Sequence, residues 1–450
     1  MIPATLLPHT RLAIYAMLIG FTLLTPSTWA NDSKHQIQKS PSSWWHAFQD
    51  PLLEALVSQL VSQNIDIQIA KARLVETRSY RKSAAAAFLP DISGHMTLSR
   101  GNRKTVASET FFEAGFDTAW EIDVFGGIQA ELDAVDASVI AKEAGVDDAR
   151  QVVIADMARA IVDWRGARET LYNLNRLLGI QEEHLRLLAA KAKSGLTDTS
   201  GLEEVRAAHA QTLSLIPNAT TALDTARYQI ERLLNDKEGQ ANALLKSHTA
   251  FQRSLPNPTE TGETRLESIH SRPDVRMAKA ALLAYKAELK EVESSLWPSL
   301  TLSSFFGIQS GSDGLRLSEN PVWDLNAGLN TPVFDFGRLR GRIDAADARS
   351  LEALLVYENT LNFALQETKT ALSAYLNGRN AIEKQAEILR SRAASVDIER
   401  ARFENGLTDM TPLSLARAAY IRANLTMIQL KTEEAIAYIH LQKALGLRAE

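Results

Sequence analysis

The sequence predicts an α+β membrane protein in which short β-strands alternate with very long helices. Four short stretches alternate apolar and polar residues with a period of two, whereas two runs of more than sixty residues have the apolar spacing of helices. These features occur twice in the same order, which indicates an internal tandem duplication. Each part of this prediction depends on particular residues, taken below in chain order.

The first thirty residues have the pattern of a cleaved export signal. Arg11 precedes an apolar run at 12–24, and the small-x-small pattern Thr28-Trp29-Ala30 follows it. This run is too short to cross a bilayer as a helix, which takes ~20 residues. We therefore predict a signal peptide at 1–30. The chain contains no cysteine, so we expect neither disulfides nor the acylated N-terminal cysteine of a lipoprotein.

Four sequence markers recur in the two halves of the chain. Their spacing is 208 residues for the first two pairs and 211 residues for the last two: Asp66 and Asp274, Pro90 and Pro298, Phe125 and Phe336, Gly195 and Gly406. Prolines and polar residues between the halves are typical of a linker. The predicted segments are an N-terminal segment at 31–63, a first repeat at 64–249, a linker at 250–271 and a second repeat at 272–446.

Each repeat contains two predicted strands, at about 91–101 and 112–124 in the first and 299–309 and 322–334 in the second. Strands of about ten residues that are apolar on one side and polar on the other are typical of transmembrane β-barrels. A soluble sheet with one face on a core is the alternative. The density of acids on the polar side and the positions of Trp120 and Trp323 near strand ends favour the membrane. We expect five acids to line a lumen: Glu113, Asp117, Glu121, Asp123 and Asp324.

A long helical hairpin is predicted after each strand pair, at about 127–235 and 338–446. The outgoing helix of each hairpin ends at a Gly-Leu-Thr-Asp turn, in "KSGLTDTS" from Lys193 and in "ENGLTDMT" from Glu404. Glycine allows the backbone to turn after a helix, and Thr, Ser or Asp can cap the returning helix. The repeated turn is therefore predicted to be the tip of a hairpin.

Four strands cannot close a barrel, and an open sheet edge is not stable in lipid. Several copies must therefore each contribute four strands. Two copies would give eight strands and an interior filled by side chains, and three would give twelve strands and a lumen. The hairpins are too thin to bury their apolar stripes alone, so we expect them to pack side by side into a periplasmic tube.

The sequence resembles the outer membrane factors, the TolC-like exit ducts of tripartite efflux and type I secretion systems, and most closely the NodT-like branch that serves RND-type pumps. The stretches that carry the resemblance cover nearly the whole mature chain: "WWHAFQDPLLEALV" from Trp44, "IAKARLVETRSYRKSAAAAFLPDIS" from Ile69, "WEIDVFGG" from Trp120, "SRPDVRMAKAAL" from Ser271, "VFDFGRLRGRIDAADA" from Val333 and both tips.

The resemblance implies a homotrimer in the outer membrane of a Gram-negative bacterium, extending into the periplasm. Its twelve-stranded barrel would be continuous with a twelve-helix coiled-coil tunnel. The implied partners are a periplasmic adaptor and an inner-membrane pump, which in this branch is of the RND type. The turns that match the family's adaptor-docking site are Gly195-Leu196 and Gly406-Leu407.

The sequence departs from the family in two places. Most members of this branch are lipoproteins, whereas the missing cysteine predicts an unlipidated protein here. The best-known members of the family have an aromatic residue and an arginine around the second tip, followed by an aspartate. The corresponding residues here are Phe403, Thr408 and Pro412. An ionic latch of that type is therefore not expected. The charges that could replace it are Asp198, Arg402, Glu404 and Asp409.

Other classes of function have weaker support in the sequence. The nine histidines are scattered, without metal-ligand spacing, and no nucleophile elbow or phosphate-binding loop is present, so we expect no enzyme and no cofactor. A net charge of −5 gives no footprint for nucleic acid. A periplasmic coiled-coil scaffold would not explain the four amphipathic strands. Type I protein secretion is the nearer alternative to efflux.

Overall fold

The computed structural model describes residues 44–103, 106–195, 199–236, 239–247, 255, 266–310 and 321–446. The predicted signal peptide lies outside these residues, as does most of the predicted linker. The described chain opens with a single turn of 3-10 helix, Trp44–Phe48, and helix α1, Pro51–Gln63. Asp50 caps α1 by accepting a hydrogen bond from the amide of Leu52 at 3.0 Å.

The first repeat consists of helix α2 (Ile65–Ala86), strands β1 (Asp91–Arg103) and β2 (Val106–Ile122), and helices α3 (Gly127–Lys193) and α4 (Thr199–Leu233). Asn64 caps α2 by accepting hydrogen bonds from the amides of Asp66 and Ile67. The 67 residues of α3 extend over roughly 100 Å at 1.5 Å per residue. A short helix, α5 (Gln240–Ser247), follows the first hairpin.

The second repeat has the same order of elements: helix α6 (Pro273–Ser294), strands β3 (Ser299–Ser310) and β4 (Pro321–Asn330), and helices α7 (Arg338–Glu404) and α8 (Met410–Ala444). Helix α7 also has 67 residues. Both long helices start from a glycine in the left-handed conformation, Gly126 at φ 78° and Gly337 at φ 88°. The order of helices and strands is therefore the same in the two halves of the described chain.

The four strands form one antiparallel sheet in the order β1-β2-β3-β4, which confirms the prediction of four strands per chain. The register places Glu113 of β2 opposite Gln309 of β3 and Asp117 opposite Phe305. Phe305 in turn lies opposite Asp324 of β4. Because directly paired residues point to the same side of a sheet, the register fixes which side chains share a face.

The main hydrophobic core lies near the middle of the long hairpins. Trp44 and the buried leucines of α1 pack there against Met157 and Ile161 of α3 and Tyr438 of α8. Arg165 of α3 joins this core through an ion pair with Asp50, and both side chains are buried. Removing one partner of a buried ion pair typically costs about 3–5 kcal/mol. Within the described residues, no helix has both the length and the apolar character needed to cross a membrane.

Candidate channel lining and hairpin tips

The polar face of the sheet brings together four of the five acids predicted to line a lumen. Glu113, Asp117 and Glu121 alternate along β2, and the register places Asp324 of β4 on the same side. Asp324 accepts a hydrogen bond of 2.7 Å from the side chain of Asn326. Glu121 is exposed at the end of the sheet that joins the helices. These acids give one face of the sheet a concentrated negative charge.

The fifth acid, Asp123, lies beyond the end of β2. The strand ends at Ile122, two residues earlier than predicted, because the chain turns here into α3. An oxygen of Asp123 accepts a hydrogen bond of 2.8 Å from the amide of Gln129 in the first turn of that helix. Its negative charge is favourable at the positive end of the helix dipole. Asp123 therefore has a helix-capping role that the strand pattern did not predict.

A cluster that sequence reasoning missed lies on the same polar face. Nε2 of His95 lies 2.9 Å from Oε1 of Glu113, and Nδ1 of His95 contacts Asp117. Gln309 donates a further hydrogen bond to Glu113. The period-two alternation of β1 puts His95 on the same side as Ser93 and Thr97. Only the strand register could show that two carboxylates face it.

The polar face also contains a large aromatic side chain, Phe305. Its ring lies 5.6 Å from the ring of His95, and its side chain is only 8% exposed. Two glycines that face each other across β2 and β3, Gly115 and Gly307, leave the space for it. A Cβ atom on either glycine would come within 2.5 Å of the ring. Phe305 therefore lies flat over the sheet, in a space that the paired glycines leave open.

The opposite face of the sheet is apolar and exposed in the single chain. Its exposed residues come from all four strands: Ile92, Met96, Leu98, Phe116, Phe306, Trp323, Leu325 and Leu329. An exposed apolar surface of this extent is typical of a surface that meets lipid or another protein. The sheet therefore has the two unlike faces of a transmembrane barrel wall.

Both hairpin tips turn through a left-handed glycine, as expected from the repeated motif. Gly195 and Gly406 have the same φ of 69°. At the second tip, the amide of Leu407 donates to the carbonyl of Arg402 at 2.8 Å, and the amide of Gly406 donates to the carbonyl of Phe403 at 3.0 Å. This pair of bonds is the Schellman motif that ends many helices. It leaves the side chain of Leu407 73% exposed.

The candidate gate residues are spread around the second tip. Arg402 pairs with Glu399 of its own helix at 3.1 Å, while Phe403 and Glu404 are exposed and Thr408 is half-buried. Asp409 caps α8 by accepting a hydrogen bond from the amide of Thr411. Two other predicted tip residues, Leu196 and Asp198, lie outside the described residues. No side-chain ion pair joins Arg402 to α8 within the described part of this tip.

Asp409 makes an ion pair that the sequence did not predict. Its carboxylate contacts Nζ of Lys191, near the end of α3, so the two hairpins of the chain are joined just above their tips. The hydrogen bond from Lys191, followed by that from the amide of Thr411, lowers the pKa of Asp409 below its ordinary value. The spacing of charges along one helix could not reveal this pair, because its members are 218 residues apart.

A buried histidine lies about three helical turns before the first tip. His184 of α3 is only 4% exposed. Its Nε2 atom has no hydrogen-bond partner among the described residues. Burial lowers the pKa of His184, and the charge of Asp409 partly opposes this effect. Within the described residues, no group of acids and histidines has the arrangement of a metal site.

A sheet with one charged and one lipid-like face, joined to helical hairpins of roughly 100 Å, defines a channel protein of the bacterial envelope. Comparison with protein families agrees: the model "Outer membrane efflux protein" matches residues 56–236 and again 266–447. The chain belongs to this family, which confirms the resemblance seen in the sequence. It is an outer membrane channel for efflux that extends into the periplasm.

Individual relatives are similar over almost their whole length. The pyoverdine export outer membrane protein OpmQ of Pseudomonas putida is 26% identical over 435 residues, which cover 94% of this chain and 91% of the relative. The outer membrane protein OprJ of Pseudomonas aeruginosa is 26% identical over 89% of this chain and 85% of its own. The solved outer-membrane channel OprN superposes with a TM-score of 0.79 at 25% identity, covering 91% of this chain and 93% of that one.

Proposed function

We propose that three copies of the chain form one channel, with a twelve-stranded barrel in the outer membrane and a periplasmic tunnel of helical hairpins. The observation that carries this proposal is the open four-stranded sheet. Its apolar face is exposed, and its edges, β1 and β4, have no partner strand within the described chain. Unpaired strand edges are not stable in lipid, and three sheets supply enough strands for a barrel with an open lumen.

The charged face of the sheet then lines the lumen. Glu113, Asp117, Glu121 and Asp324 would each occur three times around the barrel, with His95 beside the first two. The apolar face, which includes Trp323, would meet the lipid. Substrates would pass through the barrel without any chemical change, since the channel only has to offer a polar, water-filled path.

The partners of such a channel are a periplasmic adaptor and an inner-membrane pump, which we propose to be of the RND type on the sequence motifs of this branch. The adaptor would dock on the two tips, through Gly195-Leu196 and Gly406-Leu407. The exposure of Leu407 supports this role, because an exposed leucine on a rigid turn is suited to fill an apolar pocket of a partner.

The closed state of the tips would depend on the contacts beside them. We propose Lys191 and Asp409 as a link that holds the two hairpins of each chain together, in place of the ionic latch of familiar members. The candidates named from sequence, Arg402, Phe403, Glu404, Thr408 and Asp198, would line the opening around this link. Opening would require the two hairpins to separate at this level.

The native mass of the protein in detergent tests the assembly. Three chains are expected after the mass of bound detergent is subtracted, and one or two chains would contradict the barrel. Capture of the adaptor and pump by an affinity tag on the purified channel would test the partners. The same purified protein should begin at Asn31 and carry no acyl chain, which N-terminal sequencing and mass spectrometry can check.

A further inference from the structure

The two helical hairpins of the chain differ in one stretch of their helices. Helix α4 contains Pro217, whereas the corresponding residue of α8, 211 residues later, is Ile428. Helix α3 contains Gly179, whereas the corresponding residue of α7 is Arg390. Glycine and proline are the two residues that favour a helix least. The first hairpin therefore has a weak point in each of its helices, and the second hairpin has a better helix former at both corresponding positions.

The weak turn of α4 is the one that precedes the proline. Pro217 has no N–H group, so the carbonyl of Leu213 loses the donor that a regular helix would supply, and the proline ring crowds that carbonyl. The hydroxyl groups of Ser214 and Thr220 donate to backbone carbonyls three and four residues before them, at 2.7 and 3.0 Å. Hydrogen bonds of this kind often bend a helix. The helix nevertheless continues through this turn, since α4 extends from Thr199 to Leu233.

The glycine of α3 makes room for no neighbour. Gly179 is exposed, and a Cβ atom at this position would have no atom of the described chain outside its own turn within 4 Å. Gly166 of the same helix is different, because a Cβ atom there would come within 2.5 Å of the hydroxyl of Thr432. Packing therefore explains Gly166 but not Gly179, whose effect is to make the backbone of α3 easier to bend.

The two weak points lie at the same level of the hairpin. The side chain of Gln181, two residues after Gly179, donates a hydrogen bond of 3.2 Å to the carbonyl of Ala208. Because α3 and α4 are antiparallel, this contact puts Gly179 level with about Ala210, within one helical turn of Leu213. The bond from Gln181 also joins the two helices on the tip side of this level. The ends of α3 and α4 near the tip can therefore move as one piece.

The contacts that join the two hairpins also change at this level. On the sheet side, Leu177 of α3 lies in a buried apolar cluster with Ala418 and Ile421 of α8. Near the tips, the same two helices are joined by the ion pair of Lys191 with Asp409, both of which are partly accessible to water. An ion pair that water can reach contributes little to stability. The first hairpin is thus held firmly to α8 up to its weak level and less firmly beyond it.

From these observations we propose that Gly179 and the turn from Leu213 to Pro217 form a hinge, on which the tip of the first hairpin bends while the second hairpin stays straight. The moving part is the end of α3 after Gly179 and the start of α4 before Leu213, roughly 20 Å of hairpin at 1.5 Å per residue. It swings away from α8 when the ion pair of Lys191 with Asp409 breaks. The role of this motion in opening rests on the proposed channel, whereas the hinge itself belongs to a single chain.

Spin labels on single cysteines can follow each tip, because the chain has no cysteine of its own. Lys193→Cys labels the first tip and Glu404→Cys labels the second, and both residues are exposed. In a symmetric trimer each label gives one label-to-label distance for each conformation, which pulsed electron paramagnetic resonance measures. We expect a broad or double distance distribution for Lys193→Cys and a single narrow distribution for Glu404→Cys.

Stiffening variants test whether the hinge causes this difference. Gly179→Ala and Pro217→Ala together should narrow the distribution at the first tip by about two-fold, because alanine favours the helix and restores the missing N–H donor. The distribution at the second tip should not change. Gly201→Ala is the matched control: Gly201 is also an exposed glycine of this hairpin with no atom of the described chain outside its own turn within 4 Å of a Cβ atom, but it lies beyond the hinge.

Hydrogen–deuterium exchange gives a second measurement that does not need a trimer. Amides of α4 around Leu213 should exchange roughly ten-fold faster than those of α8 around the corresponding Asn424, and the double variant should remove the difference. Equal exchange in the two helices, or a distribution at the first tip that the double variant leaves unchanged, would overturn the hinge. A monomeric native mass without any label-to-label distance would overturn the proposed assembly, and exchange would then decide on the hinge alone.

Discussion

At the scale of single residues, the paired glycines Gly115 and Gly307 determine where Phe305 lies. Without them, an aromatic side chain on the polar face would have to project away from the sheet. With them, the ring lies flat beside His95 and leaves the space above it open. The alternation of apolar and polar residues predicts the face of most side chains in β3. It does not predict Phe305, because the glycines that accommodate its ring lie on two different strands.

If the polar face lines the lumen, the ring of Phe305 covers part of the lumen wall even though it lies flat. Phe305→Ala would remove three such rings from the proposed trimer, so we expect a higher single-channel conductance in planar bilayers. Phe306→Ala is the matched control, because Phe306 belongs to the apolar face and should leave the conductance unchanged. Equal effects of both variants would contradict the assignment of the two faces.

His184 should make the packing of the tip depend on pH. Its pKa is lowered in the folded protein, so an opened tip binds a proton more readily than a closed one. Neutral, buried His184 therefore contributes fully to the stability of the closed tip above the ordinary histidine pKa of about 6.5. This contribution is lost as the pH falls from there through the lowered pKa of His184. Asp409 stays ionised in this range, because its own pKa is lowered.

Limited proteolysis of the purified channel measures this effect. Between pH 7.5 and pH 5.5, cleavage near the first tip should accelerate several-fold in the unmodified protein and remain constant in His184→Gln. His209→Gln is the control, because His209 lies on α4 near Glu182 and is more accessible to solvent. If cleavage of His184→Gln still depends on pH, another titratable group causes the dependence.

At the scale of elements, the sequence predicted the existence and order of the helices and strands well, and the residues at which they end less well. Strand β2 starts at Val106, six residues before the predicted position, because ladder hydrogen bonds continue beyond the apolar alternation on which the prediction relied. The helix starts at Gly127 and Arg338 were predicted, since runs with the helical spacing of apolar residues follow Phe125-Gly126 and Phe336-Gly337. Contacts between distant elements, such as Lys191 with Asp409, have no signature in a single sequence.

The link between Lys191 and Asp409 should restrain the two hairpins. An exposed ion pair contributes about 0.2–1 kcal/mol, and three copies would act together in the proposed trimer. Lys191→Gln should therefore raise the frequency of spontaneous opening in planar bilayers by a few-fold to about a hundred-fold, whereas Lys191→Arg should preserve the closed state. Asp409 keeps its capping role in both variants. An opening frequency that Lys191→Gln leaves unchanged would exclude the link as a gate element.

The exposed turn of the second hairpin should bind the adaptor. Leu407→Ser removes the apolar side chain while the left-handed turn remains, so normal trimers should form but adaptor cross-linking and efflux should be lost. Leu196→Ser makes the same change at the first tip. Gly406→Val adds a cost of roughly 1–2 kcal/mol at its positive φ and should also disturb docking. Normal adaptor binding by both serine variants would show that the leucines are not the docking residues.

At the scale of the whole molecule, the chain distributes its functions along its length. The buried core near Arg165 holds the hairpins together midway, so the sheet at one end and the tips at the other can remain exposed for assembly and docking. The sequence could predict both exposed ends from local pattern. The position of the core could not be predicted in this way, because it is built from the N-terminal segment, the long helix α3 and the last helix α8.

The acids on the polar face should make the assembled channel select for cations. In the proposed trimer, three copies of Glu113, Asp117, Glu121 and Asp324 would lower the potential in the lumen. His95 contacts Glu113 and Asp117, and Gln309 also donates to Glu113. Glu121→Gln and Asp324→Asn should therefore weaken cation preference more than Glu113→Gln does. Reversal potentials in a salt gradient measure the cation preference. At 1 M salt, charges are screened beyond ~3 Å, so the preference should become smaller. Anion selectivity in the unmodified channel would mean that the apolar face, not the charged one, lines the lumen.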